Sequence, residues 1–278
     1  MGMRNTLYDN PTVALPRFRL EPAWFEAVAI RASRRRFDGR PVRAEALQRI
    51  GAACCTVSER ADTGVRAVLV EARPDGVFTG LIGHYGAAVS GAPAFAAFLG
   101  GPDWDVDLGY IGEAVILAAT AAGVDTCWIA GSFDPAAAAA YADLAEGEQV
   151  RAVTPLGYGT SDVRGFERVL NAVVQPRARF DLERIAPGAS SWPAWARVAA
   201  EAVRLAPSGK NRQPWRLRLE DDALVLALAP DGAYWTAWID CGIAALHAEL
   251  GALHAGVVGT WQRLAGPDVA RFTPSPTF

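Results

Sequence analysis

Shifting the chain against itself by 133 positions brings an unusual set of residues into register. Asp107, Gly109, Leu117, Ala119, Ala122, Gly123, Val124 and Trp128 meet Asp240, Gly242, Leu250, Ala252, Ala255, Gly256, Val257 and Trp261. Alanine, glycine and leucine coincide easily in so alanine-rich a sequence. Asp-x-Gly at one end of a segment, Ala-Gly-Val at the other and a paired tryptophan beyond do not, and they mark an internal duplication. Each copy contains a long apolar stretch without proline, Asp107 to Ala122 and Asp240 to Ala255, that reads as a core helix; Gly123 caps the first. Two repeats with one core helix each predict a pseudo-symmetric pair packed about a two-fold axis.

The rest of the chain alternates helix and strand signals around those stretches. Helices are expected at Pro22–Ala32, at Val42–Cys54 after the Gly39-Arg40-Pro41 break, and at Trp192–Leu205. Asp134 before Pro135 and five alanines reads as an N-cap, a first-turn proline and a short helix. Strands are expected at Val65–Ala72, Gly91–Leu99, Thr126–Ile129, Val150–Leu156, Arg216–Glu220 and Leu224–Ala229, the last two joined by a tight Asp221-Asp222 turn. Arg177–Trp192 reads as a connecting region, and the Gly-rich Phe78–Ser90, with His84 and Tyr85, as a lid or a strand hairpin.

Composition excludes several classes. With 51% hydrophobic residues in 278, the chain can bury a substantial core. A net charge of -3 gives no broad basic field for nucleic acid. No uninterrupted apolar run of about 18 residues offers a membrane span, and the charged, proline-bearing N-terminus lacks a signal-peptide core, so a cytoplasmic protein is expected. Four cysteines, Cys54, Cys55, Cys127 and Cys241, form no CxxC pair and read as buried thiols. His247 and His254 lie on nearly one helix face, but no carboxylate or cysteine at a supporting spacing completes a metal set.

Four clusters carry possible chemistry. Arg31-Ala32-Ser33-Arg34-Arg35-Arg36-Phe37-Asp38 gathers four guanidinium groups beside a hydroxyl, a set suited to a phosphate ester because arginine donates parallel hydrogen bonds from a fixed fork. Charge alone favours a solvated basic turn there. The loop Ala206-Pro207-Ser208-Gly209-Lys210-Asn211-Arg212-Gln213-Pro214-Trp215 holds five side-chain donors between its prolines, dense enough for a planar, heteroatom-rich ligand, although a polar loop accounts for it equally. Thr126 to Ser132 ends in small residues whose backbone N–H groups could meet a flat ring, or simply turn. Arg177-Ala178-Arg179 reads alone as surface. No nucleophile elbow, HExxH, P-loop or dinucleotide fingerprint occurs, which leaves phosphate clamps and amide donors, a set that suits a bound nucleotide cofactor.

Taken in order, these clusters resemble the nitroreductase family. Arg31-x-Ser33-x-Arg35-x-Phe37 is similar to its flavin-phosphate motif, and Ala206-Pro207-Ser208 with Asn211, Gln213, Pro214 and Trp215 to its APSxxNxQPW loop. Asp107-x-Gly109 through Trp128-Ile129 resembles the family's central helix and following strand, Leu156-Gly157-Tyr158 its LGYP segment with Gly159 in place of proline, and Arg177-x-Arg179 the basic pair after it. An ordinary member carries the first two motifs about two dozen residues apart; here they fall in different halves, while Ala53 to Arg60 and Phe180 to Ser191 match neither.

The resemblance implies an α+β fold of two pseudo-symmetric half-domains, each a mostly antiparallel sheet flanked by helices, packed through the long central helices. An N-terminal extension (1–20), a first repeat (21–180) and a shorter second repeat (181–278) follow. It implies one FMN per chain, with Arg31, Ser33, Arg35, Arg177 and Arg179 on the phosphate and ribityl end, and Ser208, Asn211 and Gln213 on the flavin from the other half. Backbone at Ile129, Ala130 and Gly131 would lie near the reactive ring nitrogen. NAD(P)H as transient donor, a small flat acceptor such as a nitroaromatic or quinone, and a monomer acting as a pseudo-dimer complete that reading. A protein that sequesters FMN without turnover is the alternative.

Overall fold

In chain order the helices are α1 (Pro22–Ile30), α2 (Ala44–Ser58), α3 (Asp105–Ala121), α4 (Pro135–Ala139), α5 (Leu182–Ile185), α6 (Ala194–Leu205) and α7 (Ala237–His254). The strands are β1 (Val65–Val70), β2 (Ala94–Gly100), β3 (Gln149–Leu156), β4 (Trp215–Glu220), β5 (Ala223–Leu228), β6 (Gly259–Arg263) and β7 (Asp268–Pro274). This computed structural model describes residues 14–59, 64–78, 89–160 and 178–276.

α3 and α7, the helices of the expected repeat, pack against each other. Neither has a polar face: α3 buries every residue from Asp105 to Ala119, and α7 all but a few of its own. Both end in the same way. Gly123 and Gly256 adopt left-handed backbone, φ 75° and 81°. The N–H of Val124 returns to the carbonyl of Ala119 and that of Val257 to Ala252, each at 2.9 Å. That paired closure satisfies carbonyls the helix would leave bare.

Glycine sets how near the two helices come. A Cβ on Gly109 would stand 2.0 Å from the carbonyl oxygen of Ile239, and one on Gly242 would stand 1.9 Å from that of Val106. The contacts are reciprocal, since Val106 and Ile239 are themselves 133 positions apart.

β1, β2 and β3 form one antiparallel sheet in that order. β2 is buried along its whole length, and its side chains part by the period of two: Ala94, Ala96 and Phe98 join the central core, whereas Phe95, Ala97 and Leu99 join a second cluster with Ile129 and Val153. The second sheet runs β4-β5-β7-β6, all antiparallel. Asp221 and Asp222 both take positive φ, 48° and 59°, as the tight hairpin requires. Ala14 bridges to Gln262, so the chain preceding α1 reaches the second sheet.

The mixed helices and antiparallel sheets match the expected α+β class, and the short α4 is capped as foreseen, Asp134 accepting from the N–H of Ala136 and Ala137 at 2.9 and 3.0 Å. Three expectations need correction. Thr126–Ile129 is not a strand but an extended segment with isolated bridges at Asp125, Thr126 and Ile129, because the N–H of Cys127 donates to the Thr154 hydroxyl instead of to a ladder carbonyl. β6 and β7 follow α7 where no strands were foreseen. Cys55 is exposed, unlike Cys54, Cys127 and Cys241. Residues 79–88 of the proposed lid lie outside the described residues.

The helix approach makes a prediction with two signs. Gly109→Ala and Gly242→Ala should each destabilise by about 1–3 kcal/mol or more, since the new methyl meets backbone that cannot yield. Gly51→Ala in α2, where the added carbon meets only Leu69 at 3.5 Å, should stabilise by about 0.5–1 kcal/mol. Urea denaturation of the three variants measures both.

Candidate flavin site

The Arg31–Phe37 segment leaves α1 as an extended thread. Ser33 bridges in parallel to Thr126, and the N–H of Arg34 donates to the Thr126 carbonyl at 2.8 Å. Farther along, Arg36 bridges to Ser90 and the buried Phe37 to Gly159. The thread is thereby fixed at both ends, and Arg34 pairs with Asp125 at 3.9 Å. Arg31 Nη1 approaches the Ser33 hydroxyl at 3.5 Å, and its buried Nε has no partner among the described residues. The Arg35 guanidinium likewise makes no ion pair with a described residue.

The second motif folds around itself and around residues 178–180. Ser208 Oγ accepts from the N–H of Gln213 at 2.9 Å, and the buried Gln213 side chain accepts from the N–H of Phe180 at 2.9 Å. Asn211 uses both ends of its amide: Oδ1 accepts from Arg179 Nη1 at 3.1 Å and Nδ2 donates to the Ala178 carbonyl at 2.8 Å. Lys210, Asn211 and Gln213 all hold positive φ, 52°, 56° and 50°. Such backbone costs about 1–3 kcal/mol per residue and persists only where surrounding bonds over-determine it. Here those bonds seat Arg179. Burial, together with the nearby charges of Arg31 and Arg204, pushes its pKa down to about 10.

The same loop is tied to the start of α7. The N–H of Gly209 donates to the Asp240 carboxyl at 2.9 Å, and the Tyr234 hydroxyl makes a short hydrogen bond to the same oxygen. A Cβ on Gly209 would stand 2.8 Å from the Thr236 hydroxyl, which would have to shift to admit it. One residue from Tyr234, the exposed Trp235 ring lies against Gly131, where an added Cβ would approach it to 2.4 Å. Ala130, Gly131, Phe133, Arg151, Trp235 and Ile239 line a cleft of about 500 Å³. No described residue accepts from the N–H of Ala130 or Gly131.

A buried polar chain holds the strand-like segment leading to that cleft. Trp128 Nε1 donates to Glu113 at 2.6 Å, while its ring lies over Gly112 and beside Phe98. The other Glu113 oxygen meets His247 Nε2 at 2.9 Å, and His247 Nδ1 donates to the Ala202 carbonyl at 3.0 Å. α3, α6 and α7 thus share one hydrogen-bonded path to the residue two positions before Ala130.

The family model described as "Putative TM nitroreductase" matches residues 24–252. The chain belongs to this nitroreductase family. A "putative nitroreductase" from Thermotoga maritima superposes with a TM-score of 0.56 at 22% identity, over 91% of this chain and 94% of that one, and shows the fold. Also similar are a nitroreductase family protein from Clostridium novyi, at TM-score 0.41 and 20% identity over 50% of this chain and 86% of that one, and a nitroreductase with bound FMN from Bacteroides fragilis, at 0.39 and 20% over 51% and 91%. No curated protein matches.

In this nitroreductase chain, then, Arg31, Arg179 and the Ser208–Gln213 loop come together, Ser33 lies beside Thr126, and Ile129 to Gly131 lead into a cleft that the Tyr234–Asp240 segment joins to the loop. Arg177 lies outside the described residues. Asn211 and Gln213 spend their amides on residues 178–180 and so act as braces. Trp235, Tyr234, Glu113 and the anchoring role of Asp240 were not foreseen. The repeat gave no hint of Trp235, because its counterpart 133 positions earlier is Pro102. Among the described residues no cluster suits a metal ion, and no helix is long and apolar enough to cross a membrane.

Asp240 makes this site pH-linked. Burial, reinforced by the charge of Glu113 and only partly offset by its bonds to Tyr234 and Gly209, raises its pKa from 3.8 to about 7. Below about pH 4 the group is protonated in folded and unfolded chain alike. As pH rises toward 7 only the unfolded chain releases the proton, so this group's contribution to stability falls by up to about 4 kcal/mol across that window. Asp240→Asn should remove this slope and leave that of Glu249, which burial also raises to about 7. Denaturation at pH 5 and pH 8 should show a smaller loss in the variant; equal losses would mean that Asp240 ionises freely.

Proposed function

We propose that this chain is an FMN-dependent NAD(P)H oxidoreductase that reduces a flat acceptor such as a nitroaromatic or quinone. The observation that carries the reading is the cation cluster of Arg31 and Arg179, closed onto the braced Ser208–Gln213 loop. Arg179, part-buried and made less basic by burial and by the charges of Arg31 and Arg204, is relieved by an anion, and a phosphate ester matches the donor geometry of the arginines. Among the described residues, Arg31 Nε, the Arg35 guanidinium and the N–H groups of Ala130 and Gly131 have no partner, and they suit the two ends of such a cofactor.

In this reading Arg31, Ser33, Arg35, Arg177 and Arg179 hold the phosphate and ribityl end. Asn211 and Gln213 keep Arg179 and Phe180 in place, and Ser208 holds the loop closed. The N–H groups of Ala130 and Gly131 donate to the edge of the ring, where developing negative charge gains most from fixed dipoles. FMN, when bound, supplies the ring that takes a hydride from the nicotinamide and passes two electrons to the acceptor. Trp235 offers an aromatic face at the mouth of the cleft and limits water there.

The reciprocal Gly109 and Gly242 contacts and the matched helix closures support a pseudo-dimer in one chain, with residues 21–180 and 181–278 as its halves. Motifs from both halves meet in one site, so one FMN per chain and a monomeric protein are expected.

Purified protein should be yellow, release FMN on denaturation, and bleach under anaerobic NADPH or NADH; absence of bleaching with both removes the oxidoreductase reading. Replacing Arg31 and Arg35 together by Ala should weaken FMN binding by at least 100-fold, at about 1.5–3 kcal/mol for each charge-assisted contact. Fluorescence titration of FMN checks it, with circular dichroism to verify the fold.

A further inference from the structure

A second cationic pocket adjoins the clamp and shares the braced loop with it. About 230 Å³ in volume, it is bounded by Phe180, Tyr234, Gln213 and three arginines, Arg184, Arg212 and Arg216. The arginines come from three places: α5, the braced loop and β4. Arg184 sits over the Phe180 ring at 3.6 Å and Arg212 over the Tyr234 ring at 4.6 Å. Stacking of this kind engages the face of a guanidinium and leaves its N–H edge free to donate. Arg216 donates to the carbonyl of its chain neighbour Trp215 at 2.7 Å.

None of the three forms an ion pair with a described residue. Asp231 is the one acidic group among the described residues lining the pocket, so three positive charges face a single negative one. The strain is visible in Arg216, whose pKa is lowered by burial and by Arg184 and only partly restored by Asp231. The volume is below that of pockets that enclose a whole small ligand, about 300–1,000 Å³, and fits a charged head group with the rest of its molecule outside.

We propose that Arg184, Arg212 and Arg216 form a second anion site, distinct from the flavin clamp, that receives the phosphate monoester of a small molecule. Two sources share that chemistry. One is the phosphate that distinguishes NADPH from NADH, which rests on the oxidoreductase reading above; the other is a separate phosphorylated metabolite, which does not. The pocket shares Gln213 and Tyr234 with the braces of the flavin site, so occupancy on one side of the loop is felt on the other.

Titration calorimetry of the FMN-saturated full chain with adenosine 2′,5′-bisphosphate and with inorganic phosphate, at fixed ionic strength, tests the site. Arg184→Gln and Arg212→Ala, on different elements, should each weaken binding of both probes at least tenfold, while Arg19→Gln on a remote exposed surface should not. Wild-type protein that binds neither probe, variants that bind as wild type does, or equal losses in all three variants would overturn the proposal. Steady-state kinetics then separate the sources: a KM for NADPH that rises at least tenfold in the two variants with that for NADH unchanged assigns the phosphate to the donor, and unchanged KM values for both assign it to a separate ligand. Because the titration needs no turnover, it tests the anion site even if the oxidoreductase reading fails.

Discussion

The contact of α3 with α7 at Gly109 and Gly242 is the constraint on which the rest depends. Where a hydrogen takes the place of a side chain, backbone meets backbone, and two helices without polar faces seal each other from water over most of their length. Apolar burial alone would let such helices slide, because the hydrophobic effect has no direction. Two opposed glycines, each seated on the other helix's carbonyl, fix the register. So does the Glu113–His247 pair between the same helices, a buried polar contact that is satisfied in one alignment and costly in others.

Both walls of the candidate site hang from that pair of helices. Asp240, in the first turn of α7, holds the loop that carries Ser208, Asn211 and Gln213. Glu113 and His247 hold Trp128, and through it the backbone of Ala130 and Gly131. The helix register therefore becomes the spacing between the donors of one wall and the braces of the other. Long-range placement of this kind explains why the loop tolerates three residues of left-handed backbone: its side-chain bonds and its anchor on α7 leave it no cheaper conformation.

The sequence made the repeated helices, their glycine closures and the hairpin at Asp221-Asp222 legible, because each depends on residues close together in the chain. The Arg-Ser thread and the QPW loop were also legible as motifs, but their division of labour was not. Asn211 and Gln213 are expected from sequence as ligand donors; the fold adds that they also bond to Ala178 and Phe180. The Trp128–Glu113–His247 path joins residues up to 134 apart, and no spacing rule announces it. Thr126–Ile129 has strand composition, yet a threonine hydroxyl from β3 takes the place of a ladder acceptor. β6 and β7 are interrupted by polar residues, and their pairing within the second sheet makes strands of them.

On the internal pairing proposed above, residues 133 positions apart can be compared directly. Ala130, at the mouth of the cleft, corresponds by the same shift of 133 to Arg263. Arg263 is almost wholly buried and pairs with Asp107, the counterpart of Asp240. In one half, then, a small residue leaves space and the aspartate is free to anchor a loop. In the other, a long buried cation occupies the aspartate. The buried ion pair commits Asp107 to β6, whereas Asp240 remains available to anchor the loop beside the cleft that Ala130 and Trp235 line.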